Sequence, residues 1–391
     1  MTGIDALVVG AGPAGSALAA GLGRAGARVL LLERAHHPRP KACAEYASPR
    51  IVEELARIGL ERGEWSVDAE PLSGMHLHAG GHAVRIAYAD RHGTRRAWGV
   101  DRRSFDERLA RHAADAGAQL REGARVVALT RDGHRVTGAR VRDVATGHEE
   151  AIRAAWTIGA DGARSTVARL LGVDRPVRFP RRLGLIAHYS GVAGLTDHGE
   201  MHAGRGWYVG LAPTPGGELN VGMALPMADS GRSAEVRFGA AIDGLPAVAR
   251  RLAGSTRVSP IRGAAPIGHR VKDAAGAGWL LVGDAAGFVD PFTGEGIHRA
   301  LRSARAAADA LRAGGDVAST YRRERHRAFA AKTALSWLVQ GFLAFPPLLE
   351  HAVERLDARP SAALRLGSAL GDCRPAADAL SPRALIEVLR P

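Results

Sequence analysis

Apolar residues follow two different patterns along this chain, and the patterns predict where its strands and helices lie. Ile4 to Val9 and Arg28 to Leu32 are short apolar runs, and between them Ala14 to Ala25 has apolar residues at helical spacing. Short apolar runs bounded by glycine are typical of buried strands in a parallel sheet. The first part of the chain is therefore predicted to be a strand–helix–strand unit that ends at Glu33.

The next part of the chain alternates predicted helices with predicted strands. Helical spacing of apolar residues predicts helices over about 49–60 and 103–117, the second of which is amphipathic. A hairpin with a Gly-Gly turn is predicted over 75–89, and three more strands are predicted over 124–160. These elements continue the α/β pattern of the first unit.

Residues 175–265 differ in character from the segments on either side. Their apolar residues alternate with polar ones in short stretches separated by glycine and proline, which is typical of an antiparallel sheet. An apolar strand returns near residue 278, and a helical part follows it. The predicted division is an α/β domain over 1–74, 101–174 and 266–332, an inserted sheet domain over 75–100 and 175–265, and a helical C-terminal segment over 333–391.

The composition is that of a globular protein. The chain has 391 residues, of which 46% are hydrophobic and 24% charged, and this is enough for two cooperating domains. No apolar run is long enough to predict a transmembrane helix, and we expect a cytoplasmic protein because the first residues run directly into a strand. Cys43 and Cys373 match no metal-binding spacing, and we expect no structural disulfide between them.

The net charge of +13 raises the question of an anionic partner. The arginines are scattered and form no nucleic-acid-binding motif, so we expect no nucleic-acid partner. A positive field also favours anionic cofactors. His76, His78 and His188 show no metal-ligand pattern, and no metal is predicted.

A glycine-rich turn joins the first predicted strand to the first predicted helix. Gly10, Gly12 and Gly15 are its glycines, and Glu33 ends the next strand. In a dinucleotide-binding turn the first glycine allows the bend, the second lets the backbone approach a pyrophosphate, and the third allows close helix–strand packing. The helix N-terminus stabilises phosphate charge, and the acidic residue accepts hydrogen bonds from ribose hydroxyls. The turn therefore predicts a dinucleotide cofactor, either NAD or FAD.

Two more glycine-rich segments follow strands that are predicted later in the chain. GADGARS covers 159–165, and GDAAGFVDPFTGEGI covers 283–297. An apolar strand delivers Asp284 to its carboxyl end, which is the edge of a parallel sheet where ligands bind. There Asp284 can accept a hydrogen bond from a ribityl hydroxyl. The helix that begins near Gly296 can stabilise negative charge on a flavin ring.

Together, and in this order, the three segments resemble those of the para-hydroxybenzoate hydroxylase-like FAD-dependent oxidoreductase superfamily. That superfamily includes group A flavin monooxygenases, geranylgeranyl reductases and flavin-dependent halogenases. The resemblance covers roughly residues 1–330 and implies FAD as the cofactor. It also implies an α/β fold in which a Rossmann-type, GR2-like FAD-binding domain carries an inserted antiparallel β-sheet substrate domain and a helical C-terminal segment.

The resemblance further implies which residues hold the cofactor. Arg102 or Arg103 would approach the FAD phosphates or ribityl chain, and the backbone near Val126 would meet the adenine. Asp161 and Gly162 match a motif associated with both FAD and pyridine nucleotides. The full implied set is Gly10, Gly12, Pro13, Ala14, Gly15, Glu33, Arg34, Lys41, Cys43, Arg102, Val126, Asp161, Gly162, Gly283, Asp284, Pro291, Gly294, Gly296 and Ile297.

The motifs leave the branch of the superfamily open. Gly287 stands where aromatic hydroxylases usually have histidine, and Lys41-Ala42-Cys43 resembles the reductase branch, although AEYASP follows in place of several glycines. The tryptophan-containing segment typical of halogenases is not found in the sequence. We favour a monooxygenase because hydroxylases are the larger share of the superfamily. In that reaction NAD(P)H reduces the flavin, and O2 is then activated to hydroxylate or epoxidise an aromatic, polyketide-like or isoprenoid molecule. The alternative is reduction of carbon–carbon double bonds in a polyprenyl-type substrate.

Few single residues can be assigned to catalysis or to substrate binding. The candidates for catalysis, which follow the second strand or the third glycine-rich segment, are Cys43, Tyr46 and His298. The candidates for contact with a hydrophobic small-molecule substrate are Tyr46, Trp207, Tyr208, Asp290, Pro291 and Phe292. The apolar segment 334–356 contains two prolines and predicts a helix pair packed on the FAD-binding domain. Alternatively, it predicts a lid or a surface with weak membrane association.

Overall fold

The computed structural model describes residues 3–227 and 231–389. Residues 1–2 of the predicted α/β domain and residues 390–391 of the predicted C-terminal segment lie outside the described residues. Up to residue 100 the strands and helices, in chain order, are β1 (Ile4–Val9), α1 (Pro13–Gly23), β2 (Val29–Leu32), β3 (Tyr46–Ala47), α2 (Ile51–Arg57), α3 (Arg62–Trp65), β4 (Ala69–Leu72), β5 (Met75–Ala79), β6 (His82–Ile86), β7 (Tyr88–Asp90), β8 (Gly93–Arg95) and β9 (Ala97–Val100).

The middle of the chain holds most of the longer strands. They and the helices between them are α4 (Arg102–Asp115), β10 (Gln119–Arg121), β11 (Ala124–Asp132), β12 (Arg135–Asp143), β13 (Glu149–Gly159), α5 (Thr166–Leu171), β14 (Asp174–Arg175), β15 (Arg182–Ser190), β16 (Gly199–Ala203), β17 (Tyr208–Thr214) and β18 (Glu218–Pro226).

The last part of the chain turns from short strands to helices. Its elements are α6 (Ala234–Asp243), α7 (Pro246–Arg251), β19 (Thr256–Arg257), β20 (Arg262–Ala264), β21 (Arg270–Val271), β22 (Ala275–Gly276), β23 (Trp279–Leu281), α8 (Gly296–Ala313), α9 (Val317–Ala344), α10 (Pro346–Asp357), α11 (Pro360–Leu370), α12 (Ala376–Ala379) and α13 (Pro382–Leu389).

A partly parallel sheet forms the centre of the α/β part. Its strands lie in the order β10-β2-β1-β13-β12-β11, and β23 pairs with the last residues of β13. Val9, Gly159 and Leu281 lie side by side at the ends of β1, β13 and β23. The three glycine-rich segments follow these three strand ends and therefore meet at one edge of the sheet. Helix α1 packs against α4 and α8. The strands β1, β2 and β23 are short apolar runs with mostly buried residues.

The second large sheet combines two distant parts of the chain. Its order is β19-β15-β18-β17-β16-β5-β6, with β20 beside β15. Neighbouring strands are antiparallel except β5 and β16, which are parallel with His78 level with His202. This confirms an inserted, largely antiparallel sheet. Strand β9 pairs with β3 and β4 instead of this sheet, and the exact domain boundaries stay a prediction.

The C-terminal helices pack against both parts of the molecule. Residues of α9, α10 and α11 share an apolar cluster with strands of the second sheet, and Tyr321 of α9 donates a hydrogen bond to the carbonyl oxygen of Leu281 at 2.6 Å. Within 3–227 and 231–389, no single helix has the length and apolarity of a membrane span. Helices α9 and α10 have the length and apolarity of a membrane span only when they are taken together, and the two helices are bent by 112° relative to each other.

Candidate active site

A cavity of about 920 Å³ runs from the N-terminus of α1 to the second sheet. It collects residues from all three glycine-rich segments, because the strand ends that carry them are adjacent. Of the residues predicted to hold the cofactor, those that line it are Gly10, Gly12, Pro13, Ala14, Glu33, Arg34, Lys41, Cys43, Arg102, Val126, Asp161, Gly162, Gly283, Asp284, Pro291, Gly294, Gly296 and Ile297.

The turn before α1 needs its glycines for different steric reasons. Gly10 has a φ of +104°, and a Cβ there would lie 2.7 Å from the carbonyl oxygen of Ala160. A Cβ on Gly15 would lie only 1.8 Å from the carbonyl oxygen of Gly10. A Cβ on Gly12 would meet nothing nearer than the guanidinium of Arg39 at 3.6 Å. Gly12 therefore leaves open space beside the helix N-terminus, where a phosphate would bind.

The acidic residue after β2 lies where the turn predicts it. Glu33 is buried and accepts hydrogen bonds from the backbone N–H groups of Ala11 and Ala35, both at 3.2 Å. Arg39 lies 3.1 Å from Glu33 and 3.3 Å from Asp106. Its guanidinium is therefore held beside Gly12 by two carboxylates. Arg39 lines the cavity but is not among the predicted cofactor residues. The only signal in the sequence for such a role is its position shortly after Glu33.

The two arginines at the start of α4 differ in burial. Arg102 is buried, lines the cavity and forms a two-pronged ion pair with Asp106 at 2.8 and 2.9 Å, whereas Arg103 is exposed. Lys41 lies nearby, and its pKa is lowered by loss of hydration and then by Arg102. These cations, together with Arg39, give the cavity the charge that an FAD pyrophosphate requires.

The aspartate of the Asp-Gly pair after β13 forms its hydrogen bonds with the protein itself. Asp161 accepts hydrogen bonds from the hydroxyl of Ser165 at 2.6 Å and from the backbone N–H of Thr166 at 2.6 Å. Its carboxylate thus caps the beginning of α5. Gly162 has a φ of +80° and turns the chain along the cavity wall. Direct contact between Asp161 and the cofactor stays a prediction.

The loop after β23 forms the inner end of the cavity. Gly283 and Gly294 have φ values of +58° and +65°, and a Cβ on Gly294 would lie 2.7 Å from the ring of Tyr46. Helix α8 then begins at Gly296, and no side chain caps its first N–H groups. Free N–H groups at a helix N-terminus favour negative charge. This is the arrangement expected beside the ring of a bound flavin.

Two tyrosines in the cavity wall have their hydroxyls occupied by protein partners. The hydroxyl of Tyr46 lies 2.8 Å from that of Tyr88, and Tyr208 donates to Asp290 at 2.5 Å. Burial raises the pKa of Tyr46 and of Tyr208 well above that of an ordinary phenol. Both residues therefore present ring surface to the cavity. The ring of Phe292 packs edge-on against Tyr208 at 5.0 Å.

Asp290 acts behind this wall. It lies 2.7 Å from Arg182, both side chains are almost completely buried, and it also accepts the backbone N–H of Phe292 at 3.1 Å. Arg182 in turn contacts Gln340 of α9. This network connects the second sheet, the loop after β23 and the C-terminal helices.

Four predicted residues lie outside the cavity lining, and one of them is Asp290, which lies behind the wall instead of facing the substrate. Trp207 directly precedes β17 and packs against an apolar cluster that includes Val209 and Leu211. His298 points to Asp372, with 2.9 Å between Nδ1 and Oδ2. Gly15 is used for packing. The structure thus does not bring Trp207 or His298 to the substrate side of the site.

A buried polar cluster behind Cys43 was missed in the sequence. Glu45 has a φ of +58°, which is rare for residues other than glycine, and its carboxylate lies 2.7 Å from His188 and 2.9 Å from the amide nitrogen of Asn220. Asn220 also donates to the carbonyl oxygen of Cys43 at 3.0 Å. The cluster fixes the segment that carries Cys43 and Tyr46 against the second sheet. Its members are far apart in sequence, so no local pattern indicates it.

The residues present fit FAD. The glycine turn and α1 offer space and N–H groups for a pyrophosphate. Glu33 lines the cavity beside this turn, where it could accept hydrogen bonds from a ribose, and the loop before α8 lies at the other end of the cavity. These features define a flavoprotein of the dinucleotide-binding class. The family described as "FAD binding domain" matches residues 3–336, and the chain belongs to it. The protein is an FAD-dependent oxidoreductase.

Two relatives match most of the chain. The menaquinone reductase of Mycolicibacterium smegmatis is 34% identical over 325 residues, which cover 80% of this chain and 77% of the relative. The digeranylgeranylglycerophospholipid reductase of Methanosarcina mazei is 31% identical over 314 residues, which cover 78% and 74%. Among solved structures, a triple mutant of the flavin-dependent brominase Bmp2 has a TM-score of 0.83 at 21% identity and covers 98% of both chains. At that identity the likeness shows the fold alone.

Proposed function

We propose that this protein uses FAD to saturate carbon–carbon double bonds in the polyprenyl chain of a lipid. The two relatives are named as reductases, one of menaquinone and one of digeranylgeranylglycerophospholipid, and both of these molecules carry isoprenoid chains. The monooxygenase favoured in the sequence analysis came from the frequency of hydroxylases in the superfamily and stays a prediction. The reductase has a specific observation in its favour.

That observation is the apolar arm of the cavity beyond the loop that precedes α8. The residues that line the cavity from the second sheet and the chain beside it include Met75, Ile186, Met201, Met223, Ile261 and Ile267. Methionine adapts to irregular and flexible apolar shapes. The hydroxyls of Tyr46 and Tyr208 already have protein partners, Tyr88 and Asp290. A branched hydrocarbon chain is the substrate that such a wall suits best.

Bound FAD, once reduced by NAD(P)H, would supply a hydride to one carbon of the double bond, and a proton that originates from solvent would add to the other carbon. The residues of this chain bind and orient the reactants. Arg39, Lys41 and Arg102 attract the pyrophosphate, the beginning of α8 favours negative charge at the ring end, and Tyr208 and Phe292 fill the wall beside it. The apolar arm excludes water from the double bond.

The reaction can be tested by a single turnover without oxygen. The FAD-loaded protein is reduced chemically and mixed with digeranylgeranylglycerophospholipid, which has no quinone ring that could accept the electrons, and the flavin absorbance and product mass are followed. We expect the lipid to reoxidise the flavin and to gain two hydrogen atoms per flavin. A lipid with a fully saturated chain is the control for digeranylgeranylglycerophospholipid and should leave the flavin reduced.

The same mixture exposed to oxygen separates the two reactions. Addition of one oxygen atom to the lipid, with no hydrogen gain under anaerobic conditions, would contradict the reductase and support the monooxygenase. Reduction with NADH and with NADPH in parallel then identifies the physiological donor.

We also propose that the bend between α9 and α10 rests on an anionic lipid surface from which the substrate is taken. Trp337, Phe345 and Leu348 are 40%, 66% and 39% exposed along this bend, and Phe179 stacks beside Trp337 at 6.5 Å. A pocket of about 380 Å³ under the two rings is also lined by cationic side chains, including Arg270. Exposed aromatic residues beside cations are typical of peripheral membrane contacts.

Exchange of both aromatic residues of the bend tests this surface. The variant Trp337→Ser/Phe345→Ser is expected to bind vesicles containing phosphatidylglycerol roughly tenfold more weakly than the wild type, because it loses apolar area that lipid would cover. Co-sedimentation measures the binding. Val67→Ser is the matched control, since Val67 is 65% exposed in another segment. Equal vesicle binding by both variants and the wild type would exclude this bend as the membrane contact.

A further inference from the structure

A cluster of imidazole and carboxylate side chains lies on the strand pair β5–β16, outside the predicted cofactor and substrate residues. The strands are parallel, with His76 level with Glu200 and His78 level with His202. Alternate residues of a strand share a face, so all four side chains lie on the same side of the sheet. His198 is the fifth side chain of the cluster, and its ring lies 4.8 Å from the ring of His76.

Three of these side chains have the donor atoms and spacing of a metal site. The ligand atoms of His78, Glu200 and His202 all lie within 4.8 Å of one another, and Nε2 of His202 is 2.8 Å from Oε2 of Glu200. The rings of His78 and His202 are stacked at 4.4 Å. Two histidines and one carboxylate form a donor set that binds zinc and related divalent metals and leaves a coordination position open.

We propose that His78, Glu200 and His202 bind one divalent transition-metal ion of the zinc class. Zinc–nitrogen distances of about 2.0–2.1 Å require only that these side chains turn toward a common point between the strands. Oε2 of Glu200 then contacts the metal in place of His202.

An arginine prepares the carboxylate for this role. Arg251 of α7 contacts Oε1 of Glu200 at 2.6 and 2.9 Å. The second oxygen of Glu200 faces the histidines. Contacts of this kind around metal ligands fix their orientation.

The site has a structural consequence for the second sheet. Strand β5 comes from the earlier of the two segments that form this sheet, and β16 comes from the later one. Their pairing is the parallel junction between the segments. A metal bound by His78, Glu200 and His202 would cross-link the junction and stabilise the folded state by mass action.

Zinc binding to the full-length, FAD-loaded protein tests the proposal. The protein is treated with a chelator, and Zn²⁺ is then titrated against a chromophoric competitor while the thermal midpoint is measured with and without Zn²⁺. We expect one Zn²⁺ per chain and a higher midpoint with Zn²⁺. His78→Ala and His202→Ala should each weaken zinc binding by about a hundredfold or more and remove the thermal shift.

His82→Ala is the matched control, because His82 is exposed on β6 of the same hairpin. It should bind zinc like the wild type. Retained flavin absorbance shows that each variant is folded, and Glu200→Gln, which keeps the size of the side chain, replaces any alanine variant that loses FAD. Wild-type zinc affinity in the folded site variants, or no stoichiometric binding by the wild type, would overturn the proposal.

Discussion

Replacement of Gly15 by alanine is expected to abolish tight FAD binding and to destabilise the protein. A Cβ at this position would lie 1.8 Å from the carbonyl oxygen of Gly10 and 3.2 Å from Cβ of Ala160. The nearest atom belongs to the backbone, so α1 must move away from β1 to relieve the overlap. We expect the free energy of unfolding to fall by about 3 kcal/mol or more. We expect FAD affinity to fall by about a hundredfold or more, since the turn and the helix N-terminus no longer lie together.

Chemical denaturation and titration of apoprotein with FAD measure the two effects. Gly21→Ala is the matched control in the same helix, because its Cβ would meet only Cβ of Ala308 at an ordinary 3.8 Å. Alanine is better than glycine inside a helix by about 1 kcal/mol, so this variant should be at least as stable as the wild type. If Gly15→Ala bound FAD as tightly as Gly21→Ala, the close packing of α1 on the turn would have no role in cofactor binding.

Asp290→Asn is expected to cost about 3–5 kcal/mol of folding free energy. Asparagine can still accept the hydrogen bonds that Tyr208 and Phe292 donate, but it removes the charge opposite Arg182. Both partners of this ion pair are almost fully buried, so the guanidinium would be left without a counter-charge in an apolar region. Because Tyr208 and Phe292 form the cavity wall, we also expect weaker binding of the lipid substrate.

Denaturation curves and the KM for the lipid measure these effects. Glu235→Gln is the control, because Glu235 pairs with Arg257 on the surface, where such pairs contribute little. Adding Arg182→Met to Asp290→Asn should restore part of the lost stability, since the unpaired charge is gone. A change below about 1 kcal/mol in Asp290→Asn would show that water or another group neutralises Arg182.

The FAD-binding core could be predicted because its determinants are local. The turn at residues 10–15, Glu33 and the segment 283–297 each combine a strand end with glycine, and parallel strands bring such ends to the same edge. The inserted sheet was also predictable, since its alternating pattern lies within continuous segments. Arg39 could not be predicted in this way, because its partners Glu33 and Asp106 come from separate parts of the chain.

Residues that act through long-range contacts escaped prediction for a physical reason. Glu45 meets His188 and Asn220 only because the segment after Cys43 folds against the second sheet, and no spacing records that contact. The same holds for His78 and His202, which are paired by strand register. His298 directly follows the segment 283–297 in sequence. The first turn of α8 nevertheless directs its side chain towards Asp372 and the C-terminal helices.

The arrangement of β1, β13 and β23 also determines when the protein can mature during synthesis. Strand β1 ends at Val9, but its partner β13 ends at Gly159, and β23 and the beginning of α8 come only after residue 278. Pairings between residues so distant in the chain form slowly, and apolar strands without partners are prone to aggregate. During synthesis, the glycine turn before α1 is therefore made long before the loop after β23, which forms the other end of the cavity. FAD is captured late, and its binding favours chains whose sheet has closed.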